Sequence, residues 1–122
     1  GITKIKSDLD YRNLSIPKMV FSKSKRLLYS SRAPIPSNKK GDFKVSFKHV
    51  CIYAFNKNHL QEFKNFGRKA FFENEEDLEI NRFLELDFIV NCVELKKGGK
   101  AVDTIEDLEK VKKFITKNQS FL

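Results

Sequence analysis

The sequence has few residues that break regular structure and no long apolar run. Among 122 residues there are five glycines, three prolines and no tryptophan. Hydrophobic residues make up 40% and charged residues 33%, a composition typical of globular chains that excludes disorder throughout. Apolar runs are a few residues long, such as Val50 to Phe55, whereas a bilayer-spanning helix needs roughly 20. We therefore expect a single hydrophobic core and no membrane helix.

Cysteine is also scarce. Cys51 and Cys92 lie far apart in apolar runs, without the spacing of a zinc site. Buried free thiols in a reducing compartment are favoured over a disulfide. The chain starts at Gly1 without an apolar leader, so we expect a cytoplasmic protein and no signal peptide. The missing initial Met indicates a tag remnant or a chain whose upstream part has been removed.

Known phosphate-binding loops and hydrolase motifs are absent from the sequence. Neither Gly-x-Gly-x-x-Gly nor Gly-x-x-x-x-Gly-Lys-Ser/Thr occurs, and Gly98-Gly99 does not begin a helix in the predicted pattern. The nucleophile motif Gly-x-Ser-x-Gly is missing as well. A nucleotide site complete within these residues and triad hydrolysis are both disfavoured.

Positive charge is in excess, with a net charge of +8, and it favours an anionic partner. A small anion needs only one or two of these cations. Nucleic acid is an alternative, because lysines alternate with aromatic residues in one stretch. The residues concerned are Lys39, Lys40, Phe43, Lys44, Phe47 and Lys48.

Hydrophobic periodicity predicts an α/β domain with helices packed on a mixed sheet. Residues 1–15 are polar and predict a lead-in without regular structure, followed by a single domain over residues 16–122. The predicted elements are strands at 18–21 and 27–30, a loop at 33–42, a central strand at 48–55, a helix capped by Asn58 through 65, a helix at 74–86, a strand at 88–95 and a helix after Thr104.

Three polar residues are candidates for ligand binding on the predicted strands. Arg32 lies between a strand and the sequence Ala-Pro-Ile-Pro, where its guanidinium could bind a carboxylate or phosphate or remain a plain surface group. His49 and Tyr53 share one face of the central strand. Polar groups on an apolar strand need hydrogen-bond partners, either in the core or on a ligand.

Two further candidates are acidic. Glu79 lies three residues before Arg82 on a predicted helix, a spacing most often seen in exposed ion pairs. Asp103 directly precedes a predicted helix, where it is either a turn residue or a metal ligand.

Four segments resemble successive motifs of one enzyme family. They read Tyr-Ser-Ser-Arg-Ala-Pro-Ile-Pro (29–36), Lys-His-Val-Cys-Ile-Tyr-Ala-Phe (48–55), Glu-Asp-Leu-Glu-Ile-Asn-Arg-Phe-Leu-Glu (76–85) and Val-Asp-Thr-Ile-Glu-Asp-Leu-Glu-Lys-Val (102–111). Their order and spacing are similar to those of the CMP-KDO synthetases, the cytidylyltransferases that activate 3-deoxy-manno-octulosonate (KDO). The resemblance covers roughly residues 16–114 and corresponds to the C-terminal half of that family.

The resemblance implies the C-terminal portion of a Rossmann-like nucleotidyltransferase fold. In the complete enzyme, CTP and a 3-deoxy-ulosonic acid are joined with loss of pyrophosphate, assisted by magnesium. The implied substrate-binding residues are Arg32, His49, Tyr53 and Glu79, and Asp103 is the implied magnesium ligand. The family also forms homodimers after its Arg-Ala-Pro-Ile-Pro motif, which makes Ile35, Phe43, Val45 and Phe47 candidate interface residues.

Two departures from the family limit the expected activity. Ile80 stands where the family usually has Gln, so a polar contact to the sugar is missing and the identity of the sugar acid stays open. The family's N-terminal phosphate loop, cytosine-reading residues and first metal carboxylate are not in these residues. We therefore expect the isolated chain to be inactive and not to bind CTP well. A catalytically idle assembly domain and a basic nucleic-acid-binding module remain the alternatives.

Overall fold

The fold combines a four-stranded antiparallel sheet with short helices. The computed structural model describes residues 1–96, 102 and 105–117. In chain order the elements are β1 (Ile2–Lys4), α1 (Asp8–Arg12), β2 (Lys18–Phe21), β3 (Leu27–Ser31), β4 (Phe47–His49), α2 (Lys57–Asn65), α3 (Phe71–Glu76), α4 (Ile80–Glu85) and α5 (Ile105–Lys117). The strand order is β1-β4-β2-β3. A parallel bridge between Ile2 and Glu94 makes the pairing mixed, and the predicted α/β fold class is confirmed.

The first fifteen residues pack onto the domain. Ile2 is fully buried in β1, where it pairs with His49 of β4. Tyr11 of α1 is 1% exposed, and its hydroxyl donates to the carbonyls of Pro34 and Pro36. The prediction of a lead-in without regular structure is wrong, because its widely spaced apolar residues include core contacts.

The predicted hairpin is confirmed in β2 and β3. Lys18 pairs with Ser31 and Val20 with Tyr29, and the turn closes through a 2.8 Å bond from Ser22 N to the Arg26 carbonyl. Residues 33–42 form neither helix nor strand, as their prolines predict.

The predicted central strand ends early, because β4 stops at His49. The amide of Ile52 donates to the carbonyl of Val50 at 2.6 Å, a local turn that replaces the ladder hydrogen bonds. Cys51 is therefore exposed, and the prediction that it is buried is wrong. Cys92 is buried, and both thiols are free, as predicted.

The helical segments follow the predicted stripes with different boundaries. Asn56, rather than Asn58, caps α2, since its side-chain oxygen accepts the amide of His59 at 2.9 Å. The single helix predicted over 74–86 is two helices, because Asp77 adopts a left-handed conformation with φ of 50° and ends α3. The closing helix is present as α5, and its predicted cap Thr104 lies outside the described residues.

Residues 88–95 form only isolated bridges, at Asn91 and Glu94, instead of the predicted strand. The segment joins the sheet through Cys92 N, which donates to the Lys25 carbonyl, and through Leu95 N, which donates to the Ile2 carbonyl. No helix within the described ranges has the length and apolar character needed to cross a bilayer.

Aromatic rings connect the sheet to the helices. The ring of Phe83 in α4 stacks on Phe55 at 4.3 Å and on Phe63 of α2 at 4.7 Å, measured between centroids. Tyr53 stacks on Phe55 at 5.5 Å and so extends the column toward β4. Phe83 belongs to the core cluster of Ile2, Met19, Leu27, Leu78, Ile80 and Cys92. This column fixes Tyr53 relative to α4, which Glu79 directly precedes.

Candidate functional site

Three of the predicted substrate-binding residues meet at the end of β4. The rings of His49 and Tyr53 contact edge to face, with centroids 5.2 Å apart. The Tyr53 hydroxyl donates a 2.7 Å hydrogen bond to Oε1 of Glu79, which directly precedes α4. His49, Tyr53 and Glu79 thus form one cluster although 30 positions separate the first from the last in the sequence. We call these residues the His49 cluster.

His49 is buried without a hydrogen-bond partner. His49 is 8% exposed, and neither Nδ1 nor Nε2 forms a hydrogen bond with any group in the described part of the chain. Burial lowers the pKa of His49 to about 4, and the nearby N-terminal ammonium contributes to this shift while Glu79 opposes it. The imidazole is therefore neutral near pH 7 and offers one donor and one acceptor. A buried polar side chain without a hydrogen-bond partner is rare, and a bound ligand would supply partners for both nitrogens.

Tyr53 and Glu79 form a donor and acceptor pair at the surface end of the cluster. Burial raises the pKa of the Tyr53 phenol, and its hydrogen bond to the Glu79 carboxylate raises that pKa further. The phenol therefore stays protonated and keeps donating to Glu79. Glu79 is exposed, so its carboxylate can accept further hydrogen bonds from hydroxyl groups of a ligand.

A cavity of about 540 Å³ opens beside His49 and Tyr53. Most of its remaining wall is apolar and comes from residues 52–55 and 88–95 together with Ile80 and Phe83. Ile80, at the position where the family resemblance expects Gln, is 1% exposed and lies in the core cluster. His49 and Tyr53 supply polar groups to this largely apolar cavity, and Asn56, His59 and Asn91 line it as well.

Arg32 is placed differently from the expected free cation. Its guanidinium donates to three backbone carbonyls: Nε to Glu76 at 2.7 Å, Nη1 to Leu14 at 3.2 Å and Nη2 to Asp77 at 3.2 Å. These bonds tie the end of β3 to the turn that leads into Glu79. Arg32 therefore does not line the cavity. It is connected to the His49 cluster only indirectly, through the turn at residues 76–79.

Glu76 is the centre of this connection and was not singled out by the sequence. Its carboxylate accepts the hydroxyls of Ser31 at 2.6 Å and Tyr29 at 3.2 Å and the backbone amide of Arg32 at 2.8 Å. Burial opposes ionisation, but the hydrogen bonds from Ser31, Arg32 and Tyr29 outweigh it and lower the pKa of Glu76. No local pattern marks Glu76, because its partners lie 44 to 47 positions earlier.

Arg82 does not pair with Glu79. Its Nε and Nη2 bond to both carboxylate oxygens of Glu73 at 2.5 and 2.6 Å, and its guanidinium lies 3.8 Å from the centroid of Phe63. The alternative interpretation of Glu79 and Arg82 as an exposed ion pair is therefore wrong. Burial opposes the charge of Glu73, but the hydrogen bonds from Arg82 and the Ala70 amide lower its pKa. This pair fixes α3 against α4 and leaves Glu79 available to Tyr53.

The predicted magnesium ligand, Asp103, lies outside the described residues. Within the part of the chain that the structure covers, no three His, Cys, Asp or Glu side chains group in a way that could hold a metal ion. The described residues therefore do not form a magnesium site by themselves, and Asp103 stays a prediction.

The four predicted interface residues differ in their surroundings. The ring of Phe43 packs on Tyr11 at 5.1 Å, and that of Phe47 meets Phe21 edge to face at 4.9 Å. Ile35 is partly buried, whereas Val45 is 44% exposed. Val45 is thus the most accessible of the four for an intermolecular contact.

Comparison with known proteins relates this arrangement to cytidylyltransferases. The chain is 31% identical over 124 residues to the 3-deoxy-manno-octulosonate cytidylyltransferase of Protochlamydia amoebophila, covering 99% of this chain and 48% of that protein. It is 36% identical over 107 residues to the enzyme of the same name from Chloroherpeton thalassium, covering 87% of this chain and 43% of that protein. No family model matches the chain.

A solved structure agrees with the sequence matches. The chain superimposes with a TM-score of 0.82 and 29% identity on CMP:2-keto-3-deoxy-manno-octonic acid synthetase complexed with CTP, covering 95% of this chain and 47% of that one. The fold is therefore that of a nucleotidyltransferase. Within this class, the resemblance to the CMP-KDO synthetase family, predicted from four motifs, is confirmed. The chain spans about half the length of the curated relatives it matches.

Proposed function

We propose that this chain is the sugar-acid-binding half of a cytidylyltransferase that couples CTP to a KDO-like acid. The observation that carries the proposal is His49, a buried imidazole with two unused nitrogens beside the Tyr53–Glu79 pair. Similarity to KDO cytidylyltransferases over almost the whole chain supports the same reaction class. In this reaction a sugar hydroxyl oxygen bonds to the α-phosphorus of CTP while the bond to pyrophosphate breaks.

The His49 cluster supplies the polar contacts for the sugar. The exposed Glu79 carboxylate accepts hydrogen bonds from sugar hydroxyls, and neutral His49 donates one hydrogen bond and accepts another. Tyr53 keeps Glu79 in place through its 2.7 Å bond. No general base is assigned among these residues.

Arg32 acts as a positioning residue in this proposal. Because its guanidinium is bonded to the carbonyls of Leu14, Glu76 and Asp77, it holds the turn before Glu79 rather than the sugar carboxylate. Glu76 completes the connection by accepting the Arg32 amide. The orientation of Glu79 thus depends on residues that do not touch the ligand.

The remaining parts of the proposed site are a metal ligand of this chain and groups of a nucleotide-binding half. We propose that Asp103 is one magnesium ligand, with the other oxygen ligands supplied by phosphates and by a nucleotide-binding half, since the ion prefers oxygen donors. The ion would neutralise charge on the phosphates. The isolated chain is then inactive with CTP. We also propose a homodimer contact that includes Val45.

A binding experiment on the chain alone tests the sugar site. Addition of KDO to ¹⁵N-labelled chain should shift the His49 and Tyr53 resonances, whereas mannose, which lacks the carboxylate and the deoxy carbon, should shift them less. Glu79→Gln should weaken KDO binding by about tenfold, because a charged acceptor is lost. Glu75→Gln, an exposed acidic neighbour on α3, is the matched control and should bind normally. The proposed site would be refuted if KDO shifted other resonances of the chain but left those of His49 and Tyr53 unchanged.

A further inference from the structure

Lys18 of β2 is buried together with its charge. It is 0% exposed, although lysine is almost never fully buried unless its ammonium is paired. Its Nζ donates to the backbone carbonyls of Asn13 at 2.7 Å and Arg32 at 2.8 Å, and it forms no ion pair with a carboxylate of the described residues. Burying a charge in this way costs free energy that a methionine at the same position would not cost. The ammonium therefore has a role other than filling space.

The two carbonyls that Lys18 binds belong to the ends of α1 and β3. Asn13 is the residue at which α1 ends, and Arg32 directly follows β3. The carbonyl of Leu14, the residue after Asn13, accepts Nη1 of Arg32 at 3.2 Å. Lys18 and Arg32 thus hold the end of α1 against the end of β3.

The backbone of Arg32 is fixed on both sides. Its carbonyl accepts the bond from Lys18, and its amide donates to the carboxylate of Glu76 at 2.8 Å. Its guanidinium donates to the carbonyls of Glu76 and Asp77, which lead into Glu79. Because both peptide groups of Arg32 are held, its side chain leaves β3 in one direction, and the turn before Glu79 is fixed with it.

We propose that Lys18 is a positioning residue that sets Glu79 for sugar-acid binding through Arg32. The inference rests on the proposed function and adds a residue that touches neither the sugar nor Glu79. Loss of the ammonium would leave the carbonyls of Asn13 and Arg32 without their donor, and Arg32 would shift together with the turn. Glu79 would then meet the sugar hydroxyls in a less favourable orientation.

The charges around Lys18 agree with this role. Burial lowers the pKa of Lys18, the neighbouring charge of Arg32 lowers it further, and the carboxylate of Glu76 opposes both effects. Glu76 thus favours the charged form of Lys18 while it holds the amide of Arg32. The charged form has three N–H donors, which suits a group that binds two carbonyls.

The alternative is a purely structural role, in which Lys18 only joins α1 to the sheet. Its loss would then lower stability without acting on Glu79 in particular. A double-mutant cycle separates the two roles, because residues that act through one another have effects that do not add.

The cycle measures KDO binding to the ¹⁵N-labelled chain with and without each side chain. Lys18→Met should weaken binding about fivefold in the unsubstituted chain but less than about twofold in Glu79→Gln, where the contact is already impaired. Lys4→Met, the same change at an exposed lysine of β1, is the matched control and should bind normally. Circular dichroism shows whether each variant is folded.

A second measurement uses the unsubstituted chain and does not depend on the folding of a variant. The chain is labelled with ¹⁵N in its lysine side chains and titrated with KDO. The Nζ resonance of Lys18 should shift on binding, because coupling between two positions is reciprocal, while that of Lys4 should stay in place.

The outcomes separate this inference from the proposed function. An equal loss of binding in both backgrounds, or unchanged binding by folded Lys18→Met, would overturn the inference and leave the sugar site intact. If Lys18→Met does not fold, an unchanged Lys18 Nζ resonance at saturating KDO would overturn it. Absence of KDO binding to the unsubstituted chain would contradict the proposed function. The spectra without ligand then decide whether Lys18 positions Glu79: Lys18→Met should shift the resonances of Glu79 and Tyr53, and unchanged resonances would overturn the inference.

Discussion

Acidification should destabilise the chain through His49 at a pH above the range in which carboxyl groups ordinarily titrate. The pKa of His49 is about 4 in the folded chain, against 6.5 for an unperturbed histidine, mainly because the ring is buried. Between these values the unfolded chain binds a proton that the folded chain does not bind. The stabilisation is therefore fully present above pH 6.5 and is lost as the pH falls toward 4.

The magnitude follows from the size of the shift. One pKa unit corresponds to about 1.4 kcal/mol, so the full shift of His49 is linked to roughly 3 kcal/mol of unfolding free energy. About 2 kcal/mol of this should be lost between pH 7 and pH 5. A small domain has a total stability of about 5–15 kcal/mol, so the loss is large enough to measure.

Urea unfolding at closely spaced pH values measures the effect. The unsubstituted chain should lose stability between pH 7 and pH 5, and His49→Gln should lose much less over the same range. His59→Gln removes the other histidine and is the control. It should lose as much stability between pH 7 and pH 5 as the unsubstituted chain. The interval from pH 7 to pH 5 lies above the range in which carboxyl groups ordinarily titrate. The loss of stability can therefore be assigned to His49 rather than to Glu73 or Glu76. A stability that is flat from pH 7 to pH 5, or an equal loss in His49→Gln, would refute the assignment.

Four other perturbations have defined outcomes. Glu76→Gln should lower the free energy of unfolding by about 2 kcal/mol, because its donors lose a charged acceptor, while Glu75→Gln should change it by less than about 0.5 kcal/mol in the same urea titration. Asp103→Asn should raise the magnesium concentration for half-maximal turnover of the two-half enzyme without lowering its melting temperature; unchanged magnesium dependence would remove the metal role. Val45→Lys should shift sedimentation of any dimer toward the monomer, and an unaffected dimer would place the contact elsewhere. Binding to duplex DNA should be weak and lost as salt rises, as expected for nonspecific phosphate contacts, and sequence-specific binding that survives high salt would favour a nucleic-acid function.

The hairpin and the helical stripes were predictable from local sequence. Two short apolar runs separated by Ser-Lys-Ser-Lys give β2 and β3, and the Ile80 and Phe83 spacing places α4 on the core. Local periodicity carries this information because it repeats within a few residues. The break at Asp77 was not predictable, since its left-handed conformation is supported by Arg32, 45 positions away.

The candidate site was predictable only through the family resemblance. Period 2 places His49 and Tyr53 on one face, but nothing local brings Glu79 to Tyr53 or marks Glu76 as the acceptor for Tyr29 and Ser31. Burial of the strand segments was overestimated for a related reason. Their composition is typical of buried strands, whereas Ile52 and its neighbour Cys51 are exposed in the described part of the chain.

Formation of a CMP-sugar by the reconstituted enzyme tests the central claim most directly. The chain is mixed with the nucleotide-binding half, CTP, magnesium and KDO, and product and pyrophosphate are quantified together. Both should appear in equal amounts only when the two halves are present, and Glu79→Gln should lower kcat/KM by at least about tenfold. Associated halves that bind KDO and CTP but form no CMP-sugar would contradict the claim, as would full activity of the 122-residue chain alone.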